Sequence, residues 1–555
     1  MLQFDDARAN AKMAELRHRE EESLVSALAP KYGYQYIDLS DVAIDTDALR
    51  FLDEAESRRA EMAIFAQGNG TVSLAIRNPN HPEVPPLLEK LRGAGHIPTI
   101  YMASMKSLEH AWNRYADGAQ SHAEVRGVLD VDVDAIEATV KEITTYLDVG
   151  TKVAILQKEG GSERVSKAIE LLFAGALALG ASDIHIEPSQ TTARVRYRLD
   201  GVLSDVTDVD RYLYDHIMSR LKLLSGLKLN VRKEAQDGRF TIDLKSHEIE
   251  VRSSVIPGGY GESMVMRLLD PSAANFKFEF LGLNTRLHEV MLEELARPNG
   301  AIVTTGPTGS GKTTALYAFL QEVHSPQIKV ITLEDPIEYK LPGIVQTQVT
   351  KDYTFATGLR SILRQDPDVI MVGEIRDREV AETAVHAALT GHLVFSTLHT
   401  NSAVGGFARL VDLGVDPRMV GSAFNILLGQ RLVRKLCDHC KIAHDTTTEE
   451  QTLIGRIMDR PVLINTIYDA PGCDACSFTG FKGRIGVFEA IRVDDAVEAM
   501  LLTDPRETAV LEAAKPQGIP TMQQDGVMKV LAGITSLAEL SRVLDLHGMN
   551  MVTPA

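Results

Sequence analysis

The chain has 555 residues, which is too long for one ordinary domain and predicts three or four folded units. Its 44% hydrophobic and 24% charged residues are typical of a globular protein and exclude a disordered or fibrous one. The net charge of −18 argues against direct nucleic-acid binding, because neutralising phosphates requires clustered Lys and Arg.

The N-terminus and the apolar stretches argue against export and membrane insertion. The first residues, MLQFDDARANAKMAEL, are acidic and polar, whereas a signal peptide needs basic residues followed by an apolar core. The apolar stretches, such as the one around Ile370–Val372, are far shorter than the roughly 18 residues that suggest a membrane span. The sequence therefore predicts a cytoplasmic protein.

The first half of the chain predicts two small domains and a linker. Residues 1–117 are interpreted as a mixed domain, with a helical pattern followed by strand-like YQYIDLS and TVSLAI. Residues 118–150 begin with a turn-rich segment and continue as acidic helical sequence, which indicates a linker with one helix. Residues 151–275 combine two helices with several strands, which predicts an α+β domain.

Strands and helices alternate after Leu281. The strands AIVTTG, KVITLED, DVIMVGEI and LVFSTLH are separated by helical segments. This alternation is typical of a parallel sheet with covering helices. Residues 281–548 are therefore predicted to form an α/β domain.

A phosphate-binding loop follows the first of these strands. The residues Gly306–Thr313 match G-x-x-x-x-G-K-[ST] without deviation, between an apolar strand and a helix. The glycines let backbone N–H groups surround phosphate oxygens, Lys312 can reach the β and γ phosphates, and the Thr313 hydroxyl can ligate Mg²⁺. The predicted ATP-binding residues are Gly306, Pro307, Thr308, Gly309, Ser310, Gly311, Lys312, Thr313 and Thr314.

Acidic residues end two other apolar strands. Hydrolysis needs a carboxylate near Mg²⁺ and the attacking water, and Glu334 and Glu374 both follow strands whose carboxyl ends face the ligand crevice in open α/β sheets. Each could instead cap the next helix, but two such acids beside a phosphate loop favour function. His399 ends the next strand and could sense the γ phosphate, although an isolated His is more often structural.

The four cysteines form two C-x-x-C pairs. Cys437 and Cys440 are followed by Cys473 and Cys476, with 32 residues between the pairs. Four thiolates on two turns make a closed tetrahedral zinc site, which is structural because it leaves no position for water. Reduced thiols or a redox dithiol are the alternatives. A reducing compartment and the use of every cysteine favour zinc.

These motifs resemble the secretion-superfamily ATPases of type II secretion and type IV pilus assembly. The resemblance is carried by GPTGSGKTT, LEDPIEY, GLRSILRQDPDVIMVGEIRD and TGHLVFSTLHTN, and it extends to SDIHIEP, QDGRF and FKGRIGVFE. It implies a RecA-like motor domain with a zinc-binding insertion at 432–484, preceded by the α+β domain. It also implies that Glu374 is the Walker B acid and Glu334 the Asp-box acid, and it leaves the choice of general base open.

The family resemblance further implies phosphate-facing arginines and a homohexamer. Arg252 and Arg267 of the α+β domain, with Arg360 and Arg364 of GLRSILRQ, match these arginines, and the nucleotide is expected between the two domains of one subunit. Guanidinium groups can stabilise the charge of phosphoryl transfer, whereas surface ion pairing is the usual alternative.

The same resemblance implies partners at the membrane. The first is an inner-membrane platform protein, which ATP-dependent domain closure would drive. The second is a membrane-associated protein, which would dock to the N-terminal domain at the cytoplasmic face of the membrane. The tetracysteine motif favours an assembly motor over a retraction motor. The repeated RLG…L…Q pattern of cyclic-di-GMP binding is not recognisable, so that ligand is not predicted.

Two alternatives remain open. One is a conjugation or DNA-uptake ATPase, which would share the nucleotide motifs but generally lacks the four cysteines. The other is a nucleotide-binding regulator with little turnover.

Overall fold

The structure is a computed structural model that describes residues 21–39, 42, 44–49, 51–68, 71–93, 96–116, 133–158, 164–271, 277–460 and 465–546. The turn-rich start of the predicted linker, 118–123, lies outside these residues. The chain divides into two compact units. The first unit comprises Met1–Leu199 and Leu203–Leu269, and the second comprises Asp200–Val202 and Asp270–Ala555.

The N-terminal part of the first unit is a four-stranded sheet of order β1-β4-β3-β2. Its strands are β1 (Gln35–Tyr36), β2 (Met62–Gly68), β3 (Thr71–Ile76) and β4 (Ile97–Met102). Strand β4 pairs in parallel with β1 and β3, and β2 pairs antiparallel with β3. The accompanying helices are Thr46–Leu49, Glu54–Arg59, Val84–Gly93 and Met105–Trp112.

The rest of the first unit is a six-stranded sheet of order β7-β6-β5-β10-β9-β8. Its strands are β5 (Asp183–Pro188), β6 (Thr192–Leu199), β7 (Val202–Asp210), β8 (Gln236–Asp243), β9 (Glu248–Gly258) and β10 (Gly261–Leu269). The helices Arg164–Ala178 and Arg211–Leu224 bury their apolar faces in its core. Strand β7 was not predicted from the sequence, because the run VLSDVTDVD is too acidic to be recognised as a strand.

The segment predicted as a linker is helical where the structure describes it. It contains the helix Val133–Glu142 and the start of the helix Tyr146–Lys158, so two helices are present where one was predicted. Ile136, Val149 and Val153 are buried in the core of the six-stranded sheet. The spacing of Val149 and Val153 places both on one helix face, which explains this packing.

The second unit contains a seven-stranded sheet of order β13-β12-β14-β15-β11-β16-β19. The strands are β11 (Gly300–Thr305), β12 (Val330–Glu334), β13 (Val345–Gln348), β14 (Val369–Val372), β15 (Leu393–Leu398), β16 (Phe424–Leu436) and β19 (Phe481–Arg492). All pairings are parallel except that of β16 with β19. The predicted α/β fold is thus confirmed.

Helices cover this sheet, and its central strands are buried on both faces. The helices are Thr285–Leu295, Lys312–Val323, Phe355–Ile362, Arg378–Leu389, Ala403–Asp412, Pro417–Ala423, Asp495–Thr503, Glu507–Ala514, Met522–Leu531 and Leu537–Val543. Every residue of β11, β14 and β15 is buried, which accounts for their continuous apolar runs. Because β15 lies between β11 and β14, the carboxyl ends of these three strands form one edge of the sheet.

The long antiparallel pair β16–β19 carries the cysteine region. Between these strands the chain forms a small sheet of β17 (Ile442–Asp445) and β18 (Thr466–Asp469), with the helix Thr448–Ile457. Among the described residues, no helix combines the length and apolar character needed to cross a bilayer.

A buried carboxylate ties the C-terminal helix Leu537–Val543 to β16. The Glu539 side chain is 0% exposed and accepts hydrogen bonds from Arg434 Nη2 at 2.7 Å and Arg542 Nε at 2.8 Å. Burial alone would raise the pKa of Glu539, but the hydrogen bonds from the two arginines lower it to about 2. The Arg434 guanidinium also lies 4.0 Å from the ring centroid of Phe481.

We expect Glu539→Gln to destabilise the protein by about 3–5 kcal/mol at neutral pH, since it leaves two arginines without their carboxylate. The folded pKa lies below the unfolded value of about 4.3, so the ionised group stabilises the fold above that value. The stability difference from wild type should therefore shrink as the pH falls from about 4.3 towards 2, measured as the urea midpoint. The exposed Glu512→Gln is the control, and a difference that stays constant down to about pH 3 would contradict the assignment.

Candidate active site and metal centre

The phosphate loop connects β11 to the helix Lys312–Val323. Gly306, Gly309 and Gly311 have φ values of 153°, 80° and 88°, a region that favours glycine. A Cβ atom built on Gly306 would lie 2.7 Å from the Gln430 backbone oxygen, so this position also has no room for a side chain. The loop therefore leads into a helix N-terminus, where backbone N–H groups are available to an anion.

The side chain of Lys312 lies over this loop. Its Nζ donates to the backbone oxygens of Gly306 at 2.7 Å and Pro307 at 3.0 Å, and the residue is 8% exposed. Burial lowers the pKa of Lys312 to about 8, with Glu374 opposing the shift and Arg431 adding to it. Lys312 thus lies within electrostatic range of both side chains.

The other residues of the predicted loop differ in exposure. Pro307 and Thr308 are exposed, whereas Ser310 is buried and its Oγ has no hydrogen-bond partner. Thr313 and Thr314 are exposed in the first helical turn. Thr313 is therefore exposed at the start of the helix.

Glu374 follows β14 at the same edge of the sheet. The backbone around it is attached to β15, because Thr397 Oγ1 donates to Gly373 O at 2.8 Å and Ile375 N donates to Thr397 O at 3.0 Å. The Glu374 side chain is 16% exposed, and its Oε1 pairs with Arg376. Its Oε2 lies 3.3 Å from Nε2 of His399, whose side chain is 53% exposed. The structure therefore brings Lys312, Glu374 and His399 together, and their roles in catalysis stay predictions.

Glu334 has a different environment at the end of β12. It is 3% exposed and accepts hydrogen bonds from the Tyr317 hydroxyl, from Thr332 Oγ1 at 2.6 Å and from Gln346 Nε2 at 3.1 Å. Burial raises the pKa of Glu334, against the lowering effect of these three donors. Because Tyr317 belongs to the helix that follows the phosphate loop, Glu334 connects β12 to that helix.

The four predicted arginines lie in both units. Arg252 on β9 and Arg267 on β10 belong to the first unit, where they pair with Glu250 at 3.1 Å and Asp183 at 3.2 Å. Arg360 and Arg364 belong to the second unit and are exposed. Arg360 pairs with Glu379, and Arg364 Nη1 donates to the Arg360 backbone oxygen at 3.0 Å. The phosphate-facing role of the four arginines stays a prediction.

Four further residues contact the site and were not predicted from the sequence. Arg376 could have been found from its position two residues after Glu374. Tyr317, Gln430 and Arg431 have no local signal, since they reach the site only through a helix face and through the pairing of β16 with β11.

The four cysteines converge between β16 and β19. The Sγ atoms of Cys437 and Cys473 are 3.9 Å apart, those of Cys440 and Cys476 are 3.9 Å apart, and those of Cys473 and Cys476 are 3.8 Å apart. Two sulfur ligands of a tetrahedral zinc ion, each about 2.3 Å from the metal, lie about 3.8 Å apart. A disulfide would need about 2.05 Å. The spacing therefore fits zinc, as predicted.

Backbone donors favour the thiolate form at one of these ligands. Burial alone would raise the pKa of the Cys476 thiol, but the N–H groups of Cys473 and Gly480 donate to its sulfur at 3.2 and 3.3 Å. The pKa of Cys476 is consequently about 7. Since a zinc ligand must be a thiolate, these hydrogen bonds suit the cluster for metal binding.

The chain resembles known proteins over most of its length. Residues 158–542 match the family described as Type II/IV secretion system protein, and residues 32–122 match the MshEN domain. The type II secretion system ATPase E of Vibrio cholerae is 44% identical over 381 residues, which cover 68% of this chain and 75% of that protein. The type IV pilus assembly ATPase PilB of Myxococcus xanthus is 35% identical over 525 residues, which cover 94% of this chain and 91% of that protein.

A solved structure shows the same fold. The Legionella pneumophila ATPase DotB superimposes with a TM-score of 0.50 at 22% identity, over 67% of this chain and 94% of that one. The family predicted from the nucleotide motifs is confirmed by the match over residues 158–542 and by both relatives. The chain belongs to the type II/IV secretion system protein family, which includes the secretion and pilus-assembly ATPases.

Proposed function

We propose that this chain hydrolyses ATP to drive the assembly of a pilus or pseudopilus, in type IV pilus biogenesis or type II secretion. The proposal depends chiefly on one observation, the convergence of Lys312 and Glu374 beside a complete phosphate loop. The functions of the two relatives, in type II secretion and type IV pilus assembly, support the choice of client process.

The loop Gly306–Gly311 and the helix after it bind the phosphates through backbone N–H groups. Lys312 exchanges its two carbonyl partners for phosphate oxygens, and the Thr313 hydroxyl would hold Mg²⁺. When bound, Mg²⁺ neutralises part of the phosphate charge. His399 contacts Glu374, and we propose that it responds to the γ phosphate.

We assign Glu374 rather than Glu334 to the attacking water. Glu374 is partly exposed and lies within electrostatic range of Lys312. Both carboxylate oxygens of Glu334 already accept buried hydrogen bonds, so its role is to fix the helix of the phosphate loop through Tyr317. Arg252, Arg267, Arg360 and Arg364 are proposed to stabilise the phosphate charge.

The larger assembly is a homohexamer at the cytoplasmic face of the inner membrane. We propose that it acts on a platform protein of that membrane, and that residues 1–117 dock to a membrane-associated partner. The linker 118–150, the α+β domain 151–275 and the ATPase domain 281–548 keep the predicted limits in this proposal. Zinc held by the four cysteines stabilises the insertion 432–484 and takes no part in the chemistry.

The direct test is Lys312→Ala in the full chain. Loss of the ammonium that meets the phosphates should weaken ATP binding and lower hydrolysis by at least about a hundredfold. Phosphate release and calorimetric titration with ATP measure the two effects. The exposed Lys351→Ala should behave as wild type, and a Lys312→Ala protein with normal turnover would refute the proposed active site.

A further inference from the structure

We propose that Arg431 is a further phosphate-binding residue, which acts from the same chain as Lys312. The inference rests on the proposed ATPase function, because it assigns a ligand group to that same site. Arg431 belongs to none of the four nucleotide motifs and lies more than a hundred residues after the phosphate loop.

Strand β16 lies next to β11, the strand that leads into the phosphate loop. In the parallel pairing of β16 with β11, Gly429 is opposite Thr305, the residue immediately before the phosphate loop. The next residue, Gln430, packs against the loop, since its Nε2 would lie 2.9 Å from a Cβ atom built on Gly311. Arg431 therefore follows directly on the segment that supports the loop.

The guanidinium of Arg431 donates hydrogen bonds to backbone oxygens. Its Nη1 donates to the Gln430 backbone oxygen at 3.0 Å, and its Nη2 donates to the Asn401 backbone oxygen at 2.9 Å. Within the described ranges, no carboxylate oxygen lies within the 4.0 Å limit of an ion pair with this half-buried guanidinium. The acid that influences it, Glu489, accepts the N–H of Ala403 at 2.8 Å. Arg431 thus has carbonyl partners without a paired counter-charge.

The ammonium of Lys312 also donates to backbone oxygens. Its hydrogen-bond partners are two backbone carbonyls, and Glu374, which faces it, is already paired with Arg376. Among the residues that the structure describes, neither cation has a carboxylate of its own, and two such neighbouring cations, one buried and one half-buried, are costly without a counter-ion. A polyphosphate supplies the missing negative charge, and the planar guanidinium suits phosphate oxygens better than carbonyls alone.

A purely structural role of Arg431 would have different consequences for binding and turnover. Through Asn401, Arg431 also holds the loop between His399 and the helix Ala403–Asp412. If this were its only role, replacing it would disturb His399 and lower turnover, while the affinity for nucleotide would stay unchanged. Binding and turnover must therefore be measured separately.

The experiment compares Arg431→Gln and Arg431→Lys in the full chain, with a non-hydrolysable ATP analogue as the probe in calorimetry. We expect Arg431→Gln to weaken analogue binding at least about tenfold and to raise KM, and Arg431→Lys to recover part of the affinity. The control is Lys435→Gln, which removes an exposed cation from the same strand and should bind as wild type.

Three results would overturn the proposal. Wild-type affinity in Arg431→Gln with reduced kcat would show that the residue only positions the loop. If Arg431→Gln does not fold, wild-type affinity in a folded Arg431→Lys protein would do the same, because an ammonium cannot reproduce the bidentate geometry. If the wild-type chain itself bound no analogue, the proposed ATPase function would fail first, and with it the role of Arg431.

Discussion

Glu374→Gln is expected to lower ATP turnover by at least about a hundredfold while the affinity for a non-hydrolysable analogue changes little. The amide keeps the shape of the side chain and can still contact His399, but it cannot accept a proton from water. The two partners of the Glu374 carboxylate, Arg376 and His399, are themselves exposed, so the thermal unfolding temperature should stay close to that of wild type. Steady-state phosphate release, analogue titration and a melting curve measure the three quantities.

Two comparisons make this prediction specific. The exposed Glu382→Gln, on the helix Arg378–Leu389, should leave turnover unchanged. Glu334→Gln should lower thermal stability as well as activity, since a buried donor that loses its acceptor costs about 1–3 kcal/mol. Unchanged phosphate release in Glu374→Gln, or equal loss of stability in both variants, would contradict the assignment of the two acids.

The second large effect is expected from removing zinc. The purified chain should contain one zinc ion, and Cys437→Ser should lose it, because the serine hydroxyl replaces a buried thiolate ligand. Structural zinc contributes apparent binding free energies of about 10–16 kcal/mol in small zinc domains. Between the cysteine pairs, the buried residues Ile454, Ile457 and Ile467 pack in a core shared with the C-terminal helices, and not in a core of their own. We therefore expect the segment between Cys437 and Gly480 to become sensitive to protease.

Metal analysis measures the zinc content, and limited proteolysis measures the protease sensitivity of the segment. His439→Ala is the matched control, because His439 lies between two ligands and could bind zinc by type but is exposed and outside the cluster. It should retain the metal and the protease resistance. A metal-free wild-type chain with four freely reactive thiols would contradict the zinc site.

Local sequence patterns were sufficient to predict those parts of the site whose residues lie close together along the chain. The loop Gly306–Thr313 is defined by its own spacing, and its place between β11 and a helix follows from the apolar run before it. The metal site could be predicted in the same way, since the spacing of the four cysteines gives two C-x-x-C turns with four potential sulfur ligands without knowledge of the fold.

The acidic residues were recognisable for a different reason. Glu334 and Glu374 follow buried parallel strands, and the carboxyl ends of such strands meet at one edge of the sheet. The sequence could not separate their roles, because burial depends on what packs over each side chain. Tyr317 and Gln346, which cover Glu334, come from other elements of the fold.

The sequence by itself determined the class of the sheet, the nucleotide loop and the pairing of the four cysteines into two C-x-x-C turns, because each is encoded in a short run of neighbouring residues. Only the tertiary structure decided which acid faces Lys312, that β15 separates β11 from β14, and that Arg431 lies beside the phosphate loop. The physical reason is that charge interactions and burial act across space, and strand pairing brings together residues that are far apart along the chain.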